Sequence, residues 1–332
     1  MEKVTVLVAV YNAQEYLADC LQSLLRQTLK DIQIVCVDDA STDSSLEILN
    51  AYAGQDARIE VIHLPENQGQ AHARNVALSH ARGKYICFLD SDDWLSDDAL
   101  EQTVSVFESN PMTDSVLFRL VYSDAEGNSV SCYPMPASEV FSGYEAFKAS
   151  LTWKIHGVYM VRAHIHKTFP YDESARSYSD DNTTRLHYLN SREVRCSQGT
   201  YFYRQHAQSV THQVSMKRFD YLKANASMKR QLMECGSSDE VLSIYENERW
   251  LNCIGLYGFY FKYRHQLEPS ERATGLSLLK ETWQSIETER LTWRNRYKFG
   301  YIPFRGCWLL FRMQEEIYFS LREIKKCLKN DG

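Results

Sequence analysis

The sequence predicts an α/β fold built on a mainly parallel sheet flanked by helices, and two observations carry that expectation. Short apolar runs rich in β-branched residues alternate with segments of helical periodicity as far as Leu89, and a polar cluster follows the carboxyl end of each run. Val4–Val10 is a nearly continuous apolar run, as a strand buried on both faces requires. After a turn at Tyr11-Asn12-Ala13, residues Leu17, Leu21, Leu24, Leu25 and Thr28 fall at helical spacing and predict an amphipathic helix over 14–28. The pattern then repeats: strand 32–37, helix 44–52, strand 59–63, helix 70–81 and strand 85–89. Right-handed crossovers between such units place the ligand beyond the carboxyl ends of the strands.

After Leu89 the rhythm changes. Ser96 can cap a helix through Phe107, 116–122 reads as a strand, and Ala125-Glu126-Gly127-Asn128 as a turn. A helix over 180–189 and a strand over 199–205 follow, and 215–290 looks helical throughout. His164 and His166, flanked by Arg162 and Lys167, are expected on a solvated surface.

Composition bounds the rest. With 332 residues, 44% hydrophobic and 24% charged, the chain is neither disordered nor collagen-like and suffices for one large domain plus an appendage, or two domains. Net charge is −6 overall, yet residues 290–332 hold ten Lys and Arg against four acids. The acidic remainder argues against nucleic-acid binding, which rests on clustered cations. Nine scattered Cys without CxxC spacing suggest reduced thiols in a cytoplasmic protein. The opening Met1-Glu2-Lys3, directly before a β-like run, does not read as a signal peptide, and no stretch reads as membrane-spanning.

The strand ends carry Tyr11-Asn12, then Asp38-Asp39-Ala40-Ser41-Thr42-Asp43, then Asn67-Gln68-Gly69, then Asp90-Ser91-Asp92-Asp93. So acidic a rim cannot hold phosphates by charge alone; a divalent cation resolves the conflict. Asp90 and Asp92, one residue apart in an extended segment, can converge on Mg²⁺ or Mn²⁺ whose other positions take diphosphate oxygens and water.

The motifs VAVYNA (8–13), VDDASTDSS (37–45), ENQGQAHARNVA (66–77) and FLDSDDW (88–94) together resemble those of family 2 glycosyltransferases with a GT-A fold. The likeness runs through Trp94 almost without gaps, continues more weakly through Asp180-Asp181 and Tyr203-Arg204-Gln205-His206, and fades after about residue 215. The resemblance implies a nucleotide-sugar donor, a UDP-sugar in the leading reading, a divalent metal and inversion at the anomeric carbon. It implies a GT-A catalytic domain over 1–214 and a helical region over 215–332. Ala9 and Tyr11 border the nucleobase, Asp38 and Asp39 accept from base or ribose, and Arg74 sits near the nucleotide. Asp90 and Ser91 face the ribose and Asp90 the metal as well, while Asp92 is the direct metal ligand. Ser179-Asp180-Asp181 fits the slot of the family's general base, with Asp181 ahead of Asp180; the alternative is a helix cap with a favourable dipole interaction. Arg204 is expected to help the diphosphate leaving group, and His212 to be a third metal ligand.

In the tail, Tyr297, Phe299, Tyr301, Ile302, Phe304, Trp308, Leu309, Leu310 and Phe311 are interleaved with Arg294, Arg296, Lys298, Arg305 and Arg312. That mixture suits peripheral contact with an anionic bilayer on the inner face of the cell membrane, near a saccharide or lipid-linked acceptor; the alternative is packing on the helical bundle. A non-catalytic nucleotide-sugar or glycan-binding module conflicts with intact Asp39, Asp92 and Asp181, and a dinucleotide oxidoreductase lacks its G-x-G-x-x-G after the first strand.

Overall fold

The computed structural model describes residues 2–136, 140–175, 178–205, 215–297 and 306–330, the last five without their side chains. The chain divides into two compact units, Met1–His212 and Gln213–Gly332.

The first unit opens with β1 (Val4–Val10), α1 (Leu17–Leu25), β2 (Ile32–Asp38), α2 (Ser45–Ala53), β3 (Ile59–His63), α3 (Gln70–Ser79) and β4 (Tyr85–Phe88). Every predicted element to this point is present, with helix ends trimmed by up to three residues where the chain turns into its loops. Strands β1 to β4 are mutually parallel in the order β3-β2-β1-β4. The chain leaves β1 to one side for β2 and β3, then crosses to the other side for β4. The carboxyl ends of β1 and β4 therefore flank the switch point where such sheets open a ligand crevice.

The apolar run of β1 is explained by two cores. Val4, Val6, Val8 and Val10 pack with Leu17, Leu21 and Leu24 of α1 on one face, while Leu7 packs with Ala73 and Ala77 of α3 on the other. Each fully buried Val or Leu contributes roughly 1.5–3 kcal/mol, so a strand with such partners on both faces anchors the sheet.

Beyond β4 the sheet becomes mixed. The chain continues with β5 (Trp94–Leu95), α4 (Ala99–Ser109), β6 (Thr113–Ser123), β7 (Ser129–Cys132), β8 (Val140–Ser142) and α5 (Gly143–Leu151). It closes the unit with β9 (Tyr159–Arg162), α6 (Ala163–Thr168), α7 (Asp180–Leu189) and β10 (Glu193–Arg204). Strand β9 runs antiparallel to both β4 and β6, whereas β10 runs parallel to β6. The strand predicted over 199–205 is the end of this longer β10, whose bulged first half reads weakly in sequence.

The expected surface position of the His164, His166 pair holds for only one of them. His164 is exposed, but His166 is buried, its ring centroid 4.9 Å from that of Tyr171 and 4.6 Å from that of His187. The short α6 turns Ile165 and His166 inward together, and burial holds the His166 imidazole well below its ordinary pKa.

The second unit is helical: α8 (Asp220–Glu234), α9 (Asp239–Tyr263), α10 (Pro269–Ser285), α11 (Trp293–Tyr297) and α12 (Trp308–Asn330). Its core gathers Trp250, Tyr257, Trp283, Phe311 and Phe319. Of the tail aromatics, Phe311 is buried against Trp250, Trp283 and Trp308, as the bundle-packing alternative expects, whereas Tyr297 is exposed. Phe299, Tyr301, Ile302, Phe304, Lys298 and Arg305 lie outside the described residues. Among the described residues no helix is long and apolar enough to cross a membrane, and the eight cysteines with described side chains are free thiols.

Candidate active site

The loops after β1 and β2 are zipped together by short polar side chains. Asn12, in the left-handed region at φ 50°, accepts from the Thr42 amide at 2.8 Å, and its own amide donates to Ser41 Oγ at 3.0 Å. The Gln14 amide donates to Asp43 at 3.1 Å. This locks the backbone on either side of Tyr11, whose ring stands half-exposed at the rim, while Ala9 is partly buried against the core beside α3.

Asp38 and Asp39 are both buried, with different duties. Asp39 accepts from the amides of Gln68 and Gly69, each at 2.8 Å, and so fixes the turn that starts α3. Gly69 takes φ 95°, a conformation that side chains resist. Asp38 Oδ2 lies 2.7 Å from His63 Nδ1 and accepts from the Ser41 amide, whereas its Oδ1 has no protein partner among the described residues. That oxygen is closed off from solvent, so as placed it is a cost borne inside the fold and presents no acceptor to a ligand.

The third loop is held from beneath. Asp93 is fully buried; Oδ2 accepts from the Tyr201 hydroxyl at 2.8 Å and Oδ1 from the Arg204 amide at 2.8 Å. Tyr201 in turn accepts from the Asp90 amide at 3.1 Å, so one phenol ties two ends of the tight 90–93 turn to β10. Burial, with the charges of Asp92 and Asp90 added, holds the Asp93 carboxyl well above its ordinary range. This leaves Asp90, Ser91 and Asp92 partly exposed above it.

Arg204 reaches the same corner, but each guanidinium nitrogen has a protein partner. Nε donates to the Asp92 carbonyl at 2.9 Å, one terminal nitrogen to the Ala125 carbonyl at 2.7 Å and the other to Asp19 at 2.9 Å. The cation is sandwiched by Tyr16 and Trp94, each 4.6 Å from the guanidinium carbon. As placed, Arg204 shapes the acidic turn, and its donors are not aimed at a ligand.

Arg74 joins the strand end to the later helix. It is buried over the rings of Phe88 and Tyr171 and donates to Asp90 Oδ1 at 2.5 Å. Its other terminal nitrogen lies 4.0 Å from Asp180 Oδ2 and has no hydrogen-bond partner among the described residues. Asn75, one position along α3, bonds the backbone of Tyr171 through both its amide oxygen and its amide nitrogen, so α3 also fixes the loop that leads toward α7.

At the start of α7, Ser179 makes no capping bond; its hydroxyl donates to the Ala175 carbonyl. Asp180 is half-exposed toward Arg74, and Asp181 is mostly buried, 3.7 Å from Arg185. Burial, opposed by Arg185 and reinforced by the charge of Asp180, pushes the Asp181 carboxyl up to about 7. A carboxyl balanced near neutrality can take a proton and give it back.

The structure thus brings Arg74, Asp90 and Asp180 into direct succession, with Asp181 the next residue of α7, turned to Arg185, and Arg204 under Asp92. His212 lies outside the described residues. Sequence reasoning quoted Asp93 without giving it a role, and passed over Tyr201, Tyr171 and Asp19, whose contacts arise only from chain crossings.

The donor set fits a hard divalent cation. Among the described residues no group of three or more His, Cys, Asp or Glu side chains converges; Asp90 and Asp92 present carboxylate oxygens, the donor type that such a cation takes. The Asp90 carboxyl is raised by burial and by Asp92 against the pull of Arg74, a repulsion that a cation relieves.

Residues 5–168 match the family model described as Glycosyl transferase family 2. The chain is 38% identical over 130 residues to an uncharacterized glycosyltransferase of Haemophilus influenzae, covering 39% of this chain and 52% of that one. It is 31% identical over 220 residues to the uncharacterized glycosyltransferase EpsJ of Bacillus subtilis, covering 63% and 62%. These matches span about half to three-fifths of the relatives' length. Staphylococcus aureus TarS 1-349, crystallised in complex with UDP, superposes with a TM-score of 0.71 at 18% identity, over 98% of this chain and 92% of that one. The likeness at that identity concerns the fold, which is the GT-A architecture expected from the motifs.

Proposed function

Since the chain belongs to glycosyl transferase family 2 through residues 5–168, we propose that it moves a sugar from a UDP-sugar to a saccharide or lipid-linked saccharide acceptor, with inversion, in making a bacterial surface polysaccharide. The observation that supports this reading is the Asp90–Arg74–Asp180 succession, which ties the acidic turn to the start of α7, the helix that carries Asp181. The donor class is supported by the TarS crystals with UDP and UDP-GlcNAc. The acceptor class is supported by 45% identity over 101 residues to a poly(ribitol-phosphate) beta-glucosyltransferase of Bacillus spizizenii, 16% of that protein's length.

In this reading the first unit does the chemistry. Tyr11 and Ala9 border the base, beside the turns that the buried Asp38 and Asp39 hold. Asp90 and Asp92 would hold Mn²⁺ or Mg²⁺, which supplies the positive charge that lets a diphosphate enter an acidic crevice and leave with its electrons. Asp181 accepts the proton of the acceptor hydroxyl as that oxygen attacks the anomeric carbon opposite the departing nucleoside diphosphate. Asp180, held by Arg74, keeps the start of α7 in register with the strand ends, and Arg204 positions the 90–93 turn.

The test is release of UDP from a panel of UDP-sugars with and without Mn²⁺. Catalysed release that needs the cation supports the reading; binding without turnover on any acceptor would favour a non-catalytic module. Asp92→Asn is expected to abolish the strengthening of UDP binding by Mn²⁺ while leaving the weak metal-free binding in place, as titration calorimetry would register. Unchanged metal-dependent affinity would remove Asp92 from its role.

The membrane part of the reading rests on α11. Trp293 and Tyr297 are 79% and 57% exposed and are flanked by Arg294 and Arg296, so two rings and two cations are available to an anionic headgroup layer. Trp293→Ala with Tyr297→Ala should halve, or more, the fraction sedimenting with phosphatidylglycerol vesicles, roughly the loss of two interfacial rings. Equal sedimentation of both proteins would end this part.

A further inference from the structure

The outer face of α12 is an apolar ridge that the helical core does not use. Phe311, Glu315 and Phe319 face inward and are buried. On the opposite side Leu309, Met313, Ile317 and Leu321 recur every four residues, 63%, 54%, 54% and 58% exposed, with Leu310 and Ile324 beside them at 46% and 57%. Six aliphatic side chains, each about half exposed, present on the order of 600 Å² of apolar surface along roughly 22 Å of helix, beyond the scatter of single apolar residues on an ordinary surface.

We propose that this ridge is the seam of a homodimer, in which α12 of one copy packs against α12 of a second copy of this chain. A row at four-residue spacing is the ridge that the groove of another helix accepts, and the same row on an identical partner is self-complementary about a two-fold axis. The area is close to the roughly 800 Å² per partner of a standard interface. Charge agrees at one level of the helix: Glu323 borders the stripe on one side and Lys325 on the other, so in a parallel two-fold pair the acidic edge of one helix meets the basic edge of its mate, while Glu316 is already paired with Arg264 at 2.5 Å. A bilayer suits this face less well. The stripe holds no aromatic ring, and the Glu323 carboxylate on its border would meet anionic headgroups.

The experiment uses the full chain in sedimentation equilibrium from about 1 to about 100 µM, where an interface of this area associates. Wild type is expected at twice the 38.6 kDa chain mass. Ile317→Glu with Leu321→Glu, both already half in water in the single copy, should raise the dissociation constant at least ~100-fold with circular dichroism and UDP binding unchanged. Leu321→Met, which keeps the apolar ridge, should remain dimeric. A wild-type monomer across the range overturns the proposal, as does a dimer indifferent to the two glutamates. Loss of vesicle binding in the Ile317→Glu, Leu321→Glu protein, with wild type monomeric, would assign the ridge to a membrane instead.

Discussion

Asp181→Asn is expected to lower kcat about 10²- to 10⁴-fold, toward the upper end because an amide cannot receive the hydroxyl proton, while the UDP-sugar dissociation constant stays within about twofold. The pH dependence follows from the raised carboxyl. A base with a pKa of about 7 makes kcat/KM fall tenfold per pH unit below neutrality in wild type, and the residual activity of the variant should lack that limb. Stability runs the opposite way. The folded state keeps a proton on Asp181 between its ordinary 3.8 and about 7, where the unfolded chain has lost it, so this group's contribution falls as pH rises through that window. Asp181→Asn should therefore be more stable than wild type at pH 8 and lose the advantage below about pH 4. An acidic limb that persists in the variant, or an equal loss in UDP-sugar binding, would move the base elsewhere; Asp180→Asn is the matching comparison.

How far these residues were legible depended on whether their signal was local. The strands and helices up to Phe88 could be read because burial on both faces of β1 and β2 leaves a continuous apolar run, and the crossover helices keep a single stripe. Asp90 and Asp92 were legible because a polar pair directly after such a run has nowhere to go but the sheet's upper edge. Asp93 was visible as a letter and silent as to role, since its partners Tyr201 and Arg204 are over a hundred positions away, in a strand that pairs in parallel with β6. In sequence Arg204 reads as a cation for the leaving group because an aromatic-Arg segment before a Ser/Thr stretch resembles the family's loop over the donor. Only its contacts with Asp19, Ala125 and Asp92 reveal a brace. His166 was placed at the surface because charged neighbours dominate its local sequence, whereas the cluster with Tyr171 and His187 that buries it is tertiary. The helical unit gave up its periodicity but not its two-faced last helix, in which the inward row 311, 315, 319 and the outward row 309, 313, 317, 321 are both largely apolar.

That inward row contains the second large effect. Glu315 is fully buried on α12, between Phe311 and Phe319 on the inward row, and neither carboxyl oxygen has a partner among the described residues. Burial pushes it up to about 8, so near neutrality the side chain is mostly a protonated acid, with the Cys253 thiol of α9 close enough to feel its charge. The unfolded chain releases this proton near 4.5, and the folded state keeps it until about 8; folding stability is therefore lost as pH rises through that interval. Glu315→Gln keeps the shape and cannot ionise. It should match wild type within about 1 kcal/mol at pH 5 and exceed it by about 2–4 kcal/mol at pH 9 in urea unfolding followed by helical circular dichroism. A difference of the same size at both pH values would mean that ionisation of Glu315 is not the cause. The charge at stake sits on the helix whose outer ridge is assigned to the dimer, so alkaline loosening of the inward row should weaken association in wild type and spare the Gln variant.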